Sequence, residues 1–224
     1  MARTTGMFYL GLAISGMLGF FVTRPRLYDA DDPAATLANL TGHPNLATAL
    51  VVFELLIVLT QALTAAWFYR LFRTTDPVSA AGIAAFGLIN STLILVSAGL
   101  LGTANSIAAD PFGDAANTVQ LLFTISGQLW IVGAVFFGLW LIPMGTAVLN
   151  TGLMPKALGW ILVASGVGYV LHAFVRFDPL TYLATIGEFW IIGYLLIFGV
   201  RKEDGREPSK RRLAEGATEP VQVT

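Results

Sequence analysis

Residues 47–69 read ATALVVFELLIVLTQALTAAWFY, and this stretch decides the class of fold. Glu54 is its one acidic or basic side chain. About 20 helical residues, at about 1.5 Å each, cross a hydrocarbon core of about 30 Å. The run does not alternate apolar and polar positions, as a barrel strand would, so a membrane-spanning helix is the structure it predicts. Five further runs share this character, at 6–22, 78–101, 118–148, 156–175 and 182–200. Within the six, only Glu54, His172 and Glu188 are acidic or basic, apart from Lys156 at a span's edge. The chain is 55% hydrophobic and 12% charged, which excludes a soluble fold for six such runs. The expectation is an all-α, polytopic six-helix bundle forming one domain over 1–200. Residues 201–224 are charged or small, carry no apolar periodicity, and read as a disordered tail.

The first run follows Arg3 as a secretory signal might, but Thr23-Arg24-Pro25-Arg26 comes after it instead of a small-residue cleavage site. It reads as a retained helix. The fourth run is long for a perpendicular span, and Pro143 suggests a kink. The chain has no cysteine, so disulfides and thiolate chemistry are excluded.

Six spans put both termini on one side. That side would hold ten of the 13 Lys and Arg residues; Arg24, Arg26 and Arg176 fall on the other. The positive-inside rule makes the first side cytoplasmic, in a cell membrane with both termini inside. The outer loops hold Asp29, Asp31, Asp32, Asp110, Asp114 and Asp178. In the first of them, Asp32 and Pro33 have the positions of an N-cap and a first helical residue, giving a short helix to about Leu40. The stretch 102–117 has the turn signals Asp110-Pro111 and Gly113-Asp114 and reads as a loop.

Helices in lipid approach closely through small residues. Gly11, Ser15 and Gly19 recur every four positions on the first helix, as do Ala134 and Gly138 on the fourth. The fifth has Gly159, Ser165, Gly166 and Gly168.

The polar residues inside the spans form stripes. Glu54 and Gln61 share one face of the second helix, Asn90 and Ser97 one face of the third, and Asn117, Gln120, Thr124 and Gln128 one face of the fourth. Glu54 and Glu188 both come out about 10 Å below the outer surface, with His172 and Arg176 above. A charged group facing hydrocarbon costs a few kcal/mol, so these residues should turn inwards. They predict a polar cavity in the outer half of the bundle.

Residues 136–170 contain Phe136-Phe137-Gly138-Leu139, then Gly145, then Pro155-Lys156-x-Leu158-Gly159, then Gly166-x-Gly168-Tyr169. The series resembles the core of a bacterial membrane family, domain of unknown function 4386. The 32–40 segment and Gly187-Glu188 are similar to it too, so the resemblance covers about residues 5–200. It implies a six-helix bacterial inner-membrane protein and supplies no activity. His172 stands where an acidic residue is expected after the Gly-x-Gly-Tyr element.

The function these features suggest is binding or transport of a small polar or amphipathic molecule. Its site would be an outward-facing acidic cavity lined by Glu54, Gln61, Gln128, His172, Arg176 and Glu188. The alternative is a structural or accessory subunit, in which Glu188 pairs with Arg176 or His172 and Glu54 with Gln128. A membrane-embedded enzyme using Glu54, His172 and Glu188 is the third reading. A catalytic metal needs about three ligands with an open position, and no His-x-x-x-His or Glu-x-x-His spacing is present. Haem would need a second axial histidine, and His43 lies in a loop. No cofactor is therefore expected. No phosphate loop, nucleophile elbow or dinucleotide fingerprint occurs. The expected partners are membrane lipids and a small-molecule ligand, with no nucleic acid.

Overall fold

The computed structural model describes residues 1–175 and 179–200; Arg176 and the 201–224 tail lie outside these described residues. Among the described residues the fold is all-α, with helices α1 (Ala2–Gly16), α2 (Pro33–Gly42), α3 (Pro44–Phe72), α4 (Pro77–Ala109), α5 (Ala115–Thr151), α6 (Lys156–Val175) and α7 (Pro179–Ile197). A π-helical segment, Met17–Thr23, and a 3-10 turn, Arg24–Arg26, extend α1. Proline sits in the first turn of α2, α3 and α4, where its missing N–H costs nothing. Asp32, Asp76 and Asp114 cap α2, α4 and α5 by accepting from Ala35 N at 2.9 Å, Ser79 N at 3.1 Å and Asn117 N at 3.3 Å.

Five segments are long and apolar enough to cross a membrane: Ala2–Arg26, Pro44–Phe72, Pro77–Ala109, Ala115–Thr151 and Lys156–Val175. Their outward faces carry exposed Leu59, Leu88, Leu95, Val96 and Leu121, which suit lipid and not water. The chain is thus a multi-pass membrane protein. The sixth expected span falls on α7, whose described apolar part, Thr185–Ile197, is shorter than those five.

The six long helices close into a ring in chain order. α1 packs on α3, α3 on α4, α4 on α5, α5 on α6, α6 on α7, and α7 returns to α1. α2 lies across one end, chiefly on α5, with smaller contacts to α4 and α3. This is the α2 end; the opposite one is the N-terminal end. The N-terminal end is filled by a core that includes Tyr9, Phe68, Phe72, Ile83, Trp140, Met144, Leu162 and Leu195. A second core at the α2 end joins Leu27, Leu40, Leu50, Leu101, Ile107, Val119 and Phe123.

One expectation changes. Residues 102–109 are helical, not loop, so the link between α4 and α5 is only 110–114. The cause is burial: Leu101, Ala104, Ile107 and Ala108 make one apolar face that α2, α3 and α5 cover. α5 is helical on both sides of Pro143.

The closest helix contact is between α5 and α6. A Cβ built on Gly138 would lie 2.6 Å from the Gly166 carbonyl oxygen, and one on Gly145 would lie 2.6 Å from that of Gly159. Backbone meets backbone at two levels, seven residues apart on each helix. On α1, Gly11 faces Thr60 and Gly19 faces Phe53, so the small-residue stripe is the α3 contact.

Candidate functional site

A cavity of about 1080 Å³ lies within the ring, between α1 with its π segment and helices α5, α6 and α7. Buried Tyr9, Ile57, Gln61, Asn90 and Ile94 form its floor, whereas Phe21, Thr124, Gln128, Thr185 and Phe189 on its rim are exposed. Thr124, Thr185, Arg24 and Tyr28 all belong to the α2 end, so the mouth faces that way.

Four of the expected site residues, Gln61, Gln128, His172 and Glu188, line this space. Arg176 is outside the described residues. Glu54 is not on the lining. It is 2% exposed and lies behind Trp130, whose indole N–H donates to Glu54 Oε1 at 2.9 Å. Its partner is thus Trp130, not Gln128. Oε2 of Glu54 has no hydrogen bond among the described residues. Gln61 accepts from the Asn90 amide at 2.8 Å, and its own Nε2 has no hydrogen bond among the described residues. The long polar stripe of α5 divides. Gln120 fastens the segment before α2, donating to the carbonyls of Asp29 and Ala30 at 2.9 Å each, while Thr124 and Gln128 turn to the cavity.

The residue that sequence reasoning missed is Arg24. Read as a loop cation, it is 7% exposed and lines the cavity. Its guanidinium donates to Ser126 Oγ at 2.9 Å and to the Phe123 carbonyl at 2.7 Å. It also lies 5.5 Å from the ring centres of both Tyr28 and Phe123, within cation–π range. Ser126 continues the chain to Ser97 at 2.8 Å, and Glu54 supplies opposite charge nearby. The π segment makes this geometry possible. Its wider turn shifts the register after Met17, and Thr23 Oγ1 donates to the Leu18 carbonyl at 2.8 Å, five residues back. Pro25 has no N–H with which to continue the helix, which ends in the 3-10 turn. Gly127 leaves room, since a Cβ there would sit 3.3 Å from the guanidinium. The available signal was the spacing of Arg24 and Tyr28, four apart and adjoining an apolar span.

Glu188 stands on the α7 wall. Its Oε1 is buried without a hydrogen bond among the described residues. The Tyr9 and Tyr169 hydroxyls are its electrostatic neighbours, with Tyr9 Oη close by but outside good hydrogen-bond geometry.

With this architecture in view, the chain belongs to a family of membrane proteins without an assigned activity. Residues 4–199 match the model of that family, Domain of unknown function (DUF4386), and the chain is a member of it. It is similar to an uncharacterized protein of Archaeoglobus fulgidus, with 34% identity over 65 residues. The match covers 29% of this chain and 39% of that relative, so the chain spans well under half of the relative's length. No solved structure matches.

Proposed function

We propose that this is a membrane-embedded binding or transport-type protein for a small polar or amphipathic molecule, taken up in the cavity between α1 and α5–α7. In this reading α7 is the sixth span, both termini are cytoplasmic, and the cavity opens outwards. The ten-to-three division of Lys and Arg supports the orientation. The family resemblance supports a bacterial inner membrane. The observation that carries the function is the floor of the cavity. Tyr9 Oη, Gln61 Nε2 and Glu188 Oε1 are buried and face one space; Gln61 Nε2 has no hydrogen bond among the described residues, and Tyr9 and Glu188 lie beside each other without one of good geometry. Buried polar atoms are almost always partnered, so a donor and an acceptor aimed into a cavity of ligand size fit a bound polar group.

The accessory-subunit reading has its own support. Glu54 on Trp130 and Gln61 on Asn90 are cross-helix bonds that hold the bundle together without a ligand. The two readings separate in a binding assay. Phenyl-naphthylamine, a neutral dye that brightens in apolar cavities, should bind the detergent-purified protein saturably. Ala134→Trp and Ala173→Trp place a large ring in the cavity and should abolish that signal. Equal brightening with all three proteins would favour the accessory reading.

A further inference from the structure

The floor of the cavity has a shape that selects among ligands. Tyr9 packs on Trp140 with ring centres 5.2 Å apart, Trp140 on Phe137 at 5.3 Å, and Phe137 on Tyr169 at 5.3 Å in an edge-on contact. The two ends of this arc, Tyr9 and Tyr169, are also the electrostatic neighbours of Glu188. Glu188 therefore closes an aromatic arc into a ring. Tyr9, Phe137, Tyr169 and Glu188 all reach the cavity surface, with Trp140 as the buttress behind.

Among the described residues, the other charged groups near the cavity already have partners. Arg24 donates two hydrogen bonds, to Ser126 and Phe123, lies between two aromatic rings and has Glu54 as its nearby opposite charge. Glu54 in turn is held by Trp130. His172 lies on the α6 wall. Among the described residues Glu188 is the acid on the surface, with the Tyr9 hydroxyl beside it and no hydrogen bond of good geometry on Oε1. Aromatic faces carry negative quadrupole density, and a carboxyl group among them adds a full charge once a cation beside it favours the ionised form. A cation that brings its own apolar body would pair with the ionised carboxylate and cover the aromatic walls.

From this arrangement we infer that the cavity binds amphipathic organic cations, with the charged centre between Glu188, Tyr9 and Tyr169 and the apolar part along Phe137, Ile131 and Phe189. The inference rests on the binding reading above and assigns its ligand class. Arg24, held by Ser126 and Phe123, lines the mouth and would disfavour cations without enough apolar surface to pass it.

The test uses two probes of nearly the same shape and opposite charge, tetraphenylphosphonium and tetraphenylborate, on the full chain in neutral phosphatidylcholine nanodiscs. Comparing wild type with Glu188→Gln at one lipid composition cancels partition into the bilayer. Tetraphenylphosphonium should bind the wild type saturably and bind Glu188→Gln roughly tenfold or more weakly, the size of effect expected for losing one desolvated charge partner. Tetraphenylborate should show no saturable binding. Tyr169→Leu, which removes a ring but no charge, should weaken the cation without admitting the anion, and it keeps the test open if Glu188→Gln does not fold. Unchanged cation affinity in both variants, or equal binding of the two probes, would overturn the assignment. Phenyl-naphthylamine distinguishes the two levels of failure. If it binds and the cation does not, the cavity reading stands and the cation assignment falls; if neither binds, both fall.

Discussion

Trp130 donates to a carboxylate that is itself almost fully buried, and the cost of losing that donor is predictable. Trp130→Phe would take the indole donor away from Glu54 and should destabilise the protein by about 1–3 kcal/mol. Glu54→Gln keeps an acceptor for the indole and should cost less; thermal unfolding in detergent compares the two. Equal midpoints for Trp130→Phe and wild type would mean that the bond contributes nothing. Asp76, just outside α4, offers a pH test. Burial alone would raise its pKa, but donors from Asn150 at 2.9 Å and Ser79 outweigh it and hold the carboxyl below its usual range of about 4. Its contribution is therefore complete above that range and is lost as pH falls through the lowered folded value. Asp76→Ala removes the α4 cap and should cost about 1 kcal/mol at neutral pH, less under acid. A cost that did not shrink on acidification would contradict this. At this scale the sequence was partly legible. Gln61, Gln128, His172 and Glu188 stood out as polar groups in apolar runs, and all four reach the cavity. The partner of Glu54 was not legible, because Trp130 lies on a helix 76 positions away and only packing brings it there. Arg24 was hidden because a regular 3.6-residue period carries no sign of a π turn.

Helices were read from apolar runs, and runs mark lipid contact better than they mark helix ends. α4 continues past its hydrophobic stretch because its last turns bury Ala104, Ile107 and Ala108 beneath the neighbouring helices, a tertiary contact without a strong apolar signature. The α5–α6 contact was more visible, since glycines at 138, 145, 159 and 166 can only serve close approach or flexibility. Its specificity can be tested within one residue type. Gly138→Ala puts a methyl group 2.6 Å from a backbone oxygen that cannot move alone, and should cost about 1–3 kcal/mol. Gly99→Ala on α4 meets nothing within 4 Å and should be close to neutral. If both substitutions lower the midpoint equally, helix flexibility and not backbone contact explains the glycines.

For the whole molecule, orientation is the proposal most open to direct measurement. The chain has no cysteine, so single cysteines can be introduced without a background. Asp110→Cys lies between α4 and α5, and Thr74→Cys lies between α3 and α4 at the other end. With cytoplasmic termini, a membrane-impermeant maleimide should label Asp110→Cys in intact cells and leave Thr74→Cys unlabelled until lysis. The reverse pattern would invert the bundle and turn the cavity mouth inwards.

The closed ring also bears on how the molecule assembles. Five of its six contacts join long helices that are neighbours in chain order, and these can form soon after each helix is made. The sixth is different: Gly6 on α1 meets Leu195 and Leu196 on α7, so the two ends of the chain must find each other. Joining distant segments carries the largest loop-closure entropy and comes late in folding. The floor group Tyr9 is on the first of these helices and Glu188 is on the last, so the cavity floor comes into being only at this final step. The same seam should be the first to part on mild destabilisation. In hydrogen exchange, amides of α7 facing α1 should lose protection before those along α4 and α5.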